Sequence, residues 1–205
     1  MAKIILVRHG ETDWNQLRRV QGANSNTNLS QKGKEQAESL ALRLKPERIQ
    51  AIYSSPLQRA LDTARAIAGN HQMEVVIEPA LTEIDVGELE GIHLEKIGKR
   101  LDQLLTKQGE ALLKMPGGES LAEVQQRVWS TIQRLIGRHS DGVIVVVSHY
   151  FVILTIICSV LNLPLSQIGR LRLGVGSIST ITFDGEVPRL LLFNDSCHLT
   201  SDKSW

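Results

Sequence analysis

The chain is poor in cysteine, carries no excess of either charge, and contains no internal repeat or low-complexity stretch. Cys158 and Cys197 are its two cysteines. They form neither a CxxC pattern nor a disulfide framework, so a reducing, cytoplasmic location is expected. Lys plus Arg number 23 against 22 Asp plus Glu, a formal net charge of +1. That balance argues against a nucleic-acid or membrane-surface binder, which needs a cationic excess. The N-terminal apolar run, Ile4–Val7, is too short for the core of a signal peptide. A longer run, Val143 to Leu165, lacks Asp, Glu, Lys and Arg throughout and is long enough to reach across a bilayer. Ser148 and His149 interrupt it, however, and Val143–Val147 is β-branched throughout. A buried strand followed by a buried helix explains the same letters better than a membrane span. What remains is a chain of 205 residues, 42% hydrophobic and 22% charged. That is the composition of one globular domain able to bury its own core.

Strand-like and helix-like patterns alternate. Ile4–Val7, Ala51–Ser54, Glu74–Ile77 and Val143–Val147 read as strands. Ser30 is positioned to cap a helix to about Leu44, with Ala37, Leu40, Ala41 and Leu44 on one face. Ser55-Pro56 predicts an N-cap followed by proline at the first helical position, opening a helix to about Ala68. Further helices are expected over Ser120–Gly137 and Tyr150–Leu161. A hairpin is expected from Ser177–Phe183 and Arg189–Phe193 around Asp184-Gly185. The pattern loosens between Pro79 and Gly118, with a weakly amphipathic stretch from Ile97 to Leu113, and suggests an insertion over one end of the sheet. After Asn194 the chain becomes polar and reads as a loose tail. The expected architecture is therefore α/β: a three-layer α/β/α sandwich with a mainly parallel central sheet and helices on both faces. It is one domain over residues 1–205, with a lid-like insertion at about 79–118 covering the carboxyl-end rim and a polar tail after 194.

Three strands end in residues that a core does not need. They lead into Arg8-His9-Gly10-Glu11-Thr12, Ser54-Ser55-Pro56-Leu57-Gln58-Arg59 and Ser148-His149-Tyr150. In a parallel sheet the carboxyl ends of the strands share one edge, where ligands bind. Topology thus brings two histidines and two arginines to one rim. Arg59 falls in the first turn of its helix, where a cation opposes the macrodipole by about 0.3–1 kcal/mol. Alone, it would read as a solvated arginine. Beside a second arginine and two histidines, a bound anion such as phosphate explains it better. Neighbours in a strand point to opposite faces, so Arg8 and His9 need a sharp exit at Gly10 to meet one ligand. His149, set between apolar runs, could equally be a satisfied core histidine. Its place at a strand end favours the site. The stretch Glu83 to Glu90 holds four carboxylates, Glu83, Asp85, Glu88 and Glu90. Near an anion pocket one of them can stay protonated and act as an acid. Composition alone does not choose among the four.

Together these blocks resemble the histidine phosphatase superfamily, also called the phosphoglycerate-mutase-like family. The blocks are Arg8–Asn15, Leu29–Gly33, Ser54–Ala60, Glu83–Gly91, Pro116–Ser120 and Val147–His149, in that order over nearly the whole chain. The resemblance implies that His9 is the nucleophile that becomes phosphohistidine and that Glu83 is the general acid and base. It implies that Arg8, Arg59 and His149 hold the phosphoryl oxygens, that Asn15 adds a hydrogen bond, and that Gln21 and Gly22 line the pocket. Two guanidiniums and an imidazolium could then supply the charge that magnesium supplies at other phosphoryl-transfer sites. His9 has to be neutral, with its second nitrogen donating to a backbone carbonyl. No metal and no other cofactor is expected.

The chain departs from the family pattern at two places. Tyr150 stands where members often have glycine; its N–H can still serve the phosphate, while its side chain narrows the pocket. Asn26-Thr27-Asn28 replaces an Asp-x-Pro. The short link from Glu83 to Gly91 resembles the smaller phosphatases rather than the mutases, which carry a longer insertion. The expectation is a phosphatase of the branch that hydrolyses a small phosphomonoester, its partner a small phosphorylated metabolite, with no nucleic acid and no membrane. The alternatives are a cofactor-dependent phosphoglycerate mutase, a non-catalytic phosphate-binding regulatory module, and a protein-phosphohistidine phosphatase. Arg18 and Arg19 could meet a substrate carboxylate or simply lie in a solvated loop. A ribazole-type or sugar phosphate stays open. The late strands could supply the edge of a homodimer.

Overall fold

Alternation along two central strands decides the layering. A computed structural model of the chain describes residues 1–97, 114–185 and 187–199. Strands β1 (Ala2–Arg8), β2 (Ile49–Ser54), β3 (Val75–Ile77) and β4 (Val143–Ser148) pair in parallel. Strands β5 (Ile178–Asp184) and β6 (Val187–Asp195) complete the sheet in antiparallel fashion. The order is β3-β2-β4-β1-β5-β6. The helices are α1 (Asp13–Gln16), α2 (Gln31–Leu44), α3 (Gln58–Gly69), α4 (Leu121–Arg138) and α5 (Tyr150–Val160).

Ile4, Leu6, Ile144 and Val146 face one way and join Val124, Val128 and Ile132 of α4 and Ile153 and Ile157 of α5. Ile5, Val7, Val145 and Val147 face the other way and join Leu40 and Leu44 of α2 and Ala64 and Ile67 of α3. Two adjacent strands buried on both faces explain why their sequences are unbroken apolar runs rather than alternating ones. Removing each such side chain from water stabilises the fold by about 1.5–3 kcal/mol. The charge-free run resolves into β4 and the 11-residue α5. Among the described residues no helix is long and apolar enough to cross a membrane.

Helix signals at α2 and α4 are realised as expected. The Ser30 hydroxyl accepts from the Gly33 N–H at 3.1 Å. Ser120 and Glu123 form a reciprocal capping box. The start of α3 differs from expectation. Ser55 is not its N-cap and Pro56 is not its first residue; the helix opens at Gln58 with Leu57 as N-cap. Two distant partners account for the shift. The Ser55 hydroxyl lies 2.7 Å from His149 Nε2, and the free Gln58 N–H is met by Asn26 Oδ1 at 2.7 Å. The segment replacing the Asp-x-Pro pattern thus caps α3 from 32 residues away. Strand β6 continues through Asp195, beyond the expected boundary at 194. The chain after it stays docked through Leu199, with His198 Nε2 3.0 Å from the Gly176 carbonyl. Most of the weakly amphipathic stretch from Ile97 to Leu113 lies outside the described residues, as does the chain beyond 199.

Candidate active site

Strand register assembles the site. Arg8 pairs with Ser148 across β1 and β4, and Ser54 pairs with Val147 across β2 and β4. The three strands therefore end level. One residue later, the His9 N–H donates to the Ser148 carbonyl and the Ser55 N–H to the Val147 carbonyl, each at 3.1 Å. His9 and His149 leave the sheet side by side, with ring centroids 5.2 Å apart. Arg59 and His149 are fully buried, and His9 and Glu83 nearly so. Arg8 is half-buried.

His9 Nδ1 lies 2.7 Å from the Gly10 carbonyl. A carbonyl only accepts, so Nδ1 carries the proton and the Nε2 lone pair is the reactive one. Gly10 serves this arrangement differently from the expected sharp exit. Its φ is not in the left-handed region. Instead, a Cβ there would sit 2.4 Å from the Gly33 carbonyl oxygen. The close approach of α2 to the loop after β1 excludes a side chain, and Gly33 faces the same contact from the other side, with 1.9 Å to the Glu11 oxygen. The Gly10 N–H donates to Thr63 Oγ1 at 3.1 Å, which in turn donates to the Arg59 carbonyl at 2.8 Å.

The guanidinium of Arg59 donates to the carbonyls of Ser25 and Gly22, and that of Arg8 to the Leu173 carbonyl. Arg8 Nε, Arg59 Nε and His149 Nδ1 are buried without a protein partner. Buried donors of this kind are normally satisfied, so the three together mark a place for acceptors on a ligand. The Ser55 hydroxyl also accepts from the Leu57 N–H at 3.3 Å. If its own proton goes to His149 Nε2, the unpartnered Nδ1 becomes the donor. Asn15 Oδ1 and Gln21 Oε1 are both turned to hydroxyl groups, of Thr12 and of Thr12 and Thr27, at 2.7–3.0 Å. Their amide nitrogens are left as the donors the pair can offer. Gly22 is anchored from its N–H to Glu90 Oε1 at 2.7 Å.

Of the four acidic candidates the structure buries one deeply. Glu83 is 4% exposed. Its Oε1 accepts from its neighbour Ile84 N–H at 2.9 Å and its Oε2 from the Phe151 N–H at 3.3 Å. Burial raises its pKa, and this outweighs the opposing pull of those hydrogen bonds and of Arg59 and Arg8. Burial also lowers Arg59, to about 10, and lowers Arg8. Burial first, then Arg59 and Arg8, holds His9 well below the ordinary histidine value, so its ring is neutral near pH 7. His149 is held down in the same way, by burial, Arg59, His9, Arg8 and Arg127. Near neutrality His149 is therefore uncharged in the free site, first through burial and then through Arg59, His9 and Arg8 beside it; the imidazolium that the resemblance implies concerns the phosphate-bound site.

Tyr150 lies beside the site as the sequence places it. Its ring centroid is 5.0 Å from the Arg8 guanidinium carbon, and its hydroxyl donates to the Leu171 carbonyl at 3.3 Å. Arg18 and Arg19 are exposed; Arg18 is 3.7 Å from Glu95, and Arg19 donates to the Gly91 carbonyl at 2.8 Å. Sequence reasoning missed Ser55, Thr63, Glu90, Glu119 and Arg127 as supports. Each reaches its supporting role through at least one partner 34 or more residues away, so spacing carries no signal for it.

Known proteins resemble this chain over nearly its whole length. The model of the histidine phosphatase superfamily (branch 1) matches residues 4–196. Phosphoserine phosphatase 1 of Hydrogenobacter thermophilus is 36% identical over 201 residues, covering 97% of this chain and 95% of that one. A probable phosphoglycerate mutase of Cronobacter sakazakii is 34% identical over 187 residues, covering 89% and 86%. Among solved structures, phosphoserine phosphatase of Entamoeba histolytica in complex with 3-phosphoglyceric acid superposes with a TM-score of 0.88 at 33% identity, covering 97% of this chain and 100% of that one.

Proposed function

Because the chain belongs to the histidine phosphatase superfamily, we propose that His9 carries the phosphoryl group of a small phosphomonoester during hydrolysis and that Glu83 moves the protons. The chain is a phosphatase of this family acting on small phosphomonoesters. The observation that supports the residue roles is the buried group of His9, His149, Arg59 and Glu83, beside Arg8, with three donors left without a protein partner.

In the first step the His9 Nε2 lone pair attacks phosphorus. The P–O bond to the alcohol breaks, and the leaving oxygen takes the Glu83 proton. Phosphorus then sits on Nε2, with Nδ1 still donating to the Gly10 carbonyl. In the second step a water gives its proton to the Glu83 carboxylate and attacks phosphorus. The P–N bond breaks, its electron pair returns to Nε2, and inorganic phosphate leaves with Glu83 again protonated. Arg8, Arg59, His149, Asn15 and the Tyr150 N–H hold the three equatorial oxygens, while Gln21 and Gly22 wall the pocket. Phosphoryl transfer needs mainly this positioning and charge stabilisation.

The substrate class we infer is a small phosphorylated carboxylic acid, since relatives covering 89–97% of the chain are named for phosphoserine and phosphoglycerate. In this reading the described parts of the insertion, residues 79–97 and 114–118, belong to the cover of this rim. Leu81, Ile84, Val86 and Leu89, buried in the main core, support that placing. A cytoplasmic location fits the two free cysteines. A homodimer would use the outer edge of β6, where Val187 and Leu191 are exposed.

The test is turnover of phosphoserine, 3-phosphoglycerate, sugar phosphates and p-nitrophenyl phosphate, with His9→Ala as the blank. Release of inorganic phosphate that the blank lacks is expected. Isomerisation of 3-phosphoglycerate without free phosphate would replace this reading with the mutase. Binding without turnover would replace it with a non-catalytic module.

A further inference from the structure

We propose that Arg127, gripped by Glu119, is a positioning residue that holds Glu83 in place for proton transfer to the leaving group. The proposal rests on the reading of Glu83 as general acid. Glu83 lies in no helix or strand; it follows a short 3-10 turn, Pro79–Leu81, and precedes another, Gly87–Leu89. Its carboxylate oxygens accept from the Ile84 and Phe151 N–H groups. Something else has to hold the backbone that carries it.

Arg127 does so from α4. Its Nη1 donates to the Ala80 carbonyl at 2.6 Å and its Nη2 to the Glu83 carbonyl at 3.4 Å. The same guanidinium makes a fork with Glu119, Nε to Oε1 and Nη2 to Oε2, each at 3.0 Å. Glu119 then reaches the far side of Glu83: its Oε2 accepts from the Asp85 N–H at 2.9 Å, and its own N–H donates to the Asp85 carbonyl at 2.8 Å. One ion pair therefore ties the backbone before, at and after the acid. Two glycines let the loops meet this closely. A Cβ on Gly118 would stand 2.1 Å from the Asp85 oxygen, and one on Gly87 would stand 2.1 Å from the Pro116 oxygen. The base of the clamp is rigid, since Val124 and Val128 on either side of Arg127 are fully buried. Arg127 touches the backbone around Glu83 rather than its carboxylate, so it acts through Glu83.

Leaving-group dependence separates positioning from a merely structural role. An alkoxide needs its proton during P–O cleavage, whereas p-nitrophenolate leaves well without one. The variants are Arg127→Met, which keeps the length and loses the fork, Arg127→Lys, Glu119→Gln and Glu83→Gln. The readout is kcat/KM on p-nitrophenyl phosphate and on phosphoserine or 3-phosphoglycerate, whichever the wild-type chain hydrolyses faster. Arg127→Met is expected to lose about 10- to 100-fold on the alkyl ester and less than about threefold on p-nitrophenyl phosphate. Glu119→Gln should lose less with the same selectivity, and Arg127→Lys should recover part of the loss. Equal losses on both esters, or no loss, would overturn the proposal. Should Arg127→Met fail to fold, Glu119→Gln and Arg127→Lys carry the same comparison. If Glu83→Gln is selective and the Arg127 and Glu119 variants are not, the clamp alone falls. If Glu83→Gln shows no selectivity, the general-acid reading falls with it.

Discussion

Binding of a tetrahedral dianion should draw a proton into the site. In the free protein, burial, the charges of Arg59, Arg8 and Arg127, and the adjacent His9 ring keep His149 neutral near pH 7. A negative charge about 4 Å from the ring, at an effective dielectric of about 20, favours the imidazolium by about 4 kcal/mol. That corresponds to a rise of about three pK units. Net proton uptake on anion binding, its size set by how closely the raised value approaches the pH of the measurement, is the expected result. Tungstate is the suitable ligand, because it is already fully deprotonated at pH 7 and cannot contribute a proton change of its own. The assay is isothermal titration calorimetry at pH 7 in buffers of different ionisation enthalpy, where the slope of observed heat against that enthalpy counts protons. His149→Gln should bind more weakly and lose most of the uptake. Glu83, whose pKa is already raised by burial, is the other group that an anion would push further up, and Glu83→Gln controls for it. Proton release on binding, or an uptake unchanged in His149→Gln, would refute the electrostatic account of the pocket.

Other consequences are equally open to measurement. Ser55→Ala should leave the fold intact yet lower kcat by about 10-fold or more, because the hydroxyl 2.7 Å from His149 Nε2 sets which nitrogen faces the ligand. An unchanged kcat would count against that role. Gly10→Ala should cost about 1–3 kcal/mol in denaturant unfolding, since its Cβ would meet the Gly33 carbonyl at 2.4 Å. It should also lower activity by moving the carbonyl that orients His9. Stability should depend on pH with a definite sign. His9 and His149 have folded pKa values well below the ordinary one. Their contribution is fully present above about pH 6.5 and is lost as pH falls from there toward the depressed folded values. Glu83 acts oppositely: its raised pKa contributes below the ordinary carboxylate value and is lost as pH rises through the folded one. Thermal unfolding of His149→Gln should accordingly gain on wild type as pH drops below about 6.5. A constant difference across that range would contradict the neutral assignment.

The parts of this molecule that sequence made legible are those with local causes. Unbroken apolar runs in β1 and β4 betrayed strands covered on both faces, and Ser30 announced α2 through its own cap. The rim residues Arg8, His9, Arg59 and His149 stood out because strand ends have no need of buried cations and imidazoles. What stayed hidden depends on distant partners. Ser55 and Pro56 carry a helix-start signal, but His149 claims the Ser55 hydroxyl and Asn26 caps Gln58 instead. Gly10 looked like a bend, whereas the reason for glycine is the approach of α2, visible only once the chain is folded. Glu83 stands apart among the four carboxylates by its burial, with its Oε2 accepting from the Phe151 N–H on a distant helix. The charge on His149 in the free site is not legible in sequence, because it depends first on burial and then on Arg59, His9 and Arg8, which only the fold brings together.

The most direct test is capture of the phosphoenzyme. Rapid acid-free quenching during turnover, followed by peptide mass spectrometry under neutral conditions, should find one phosphoryl group on His9, labile to acid and stable to base, and absent from His9→Ala. Phosphate release by His9→Ala at the wild-type rate, or a phosphoryl group on any other residue during turnover, would contradict the account.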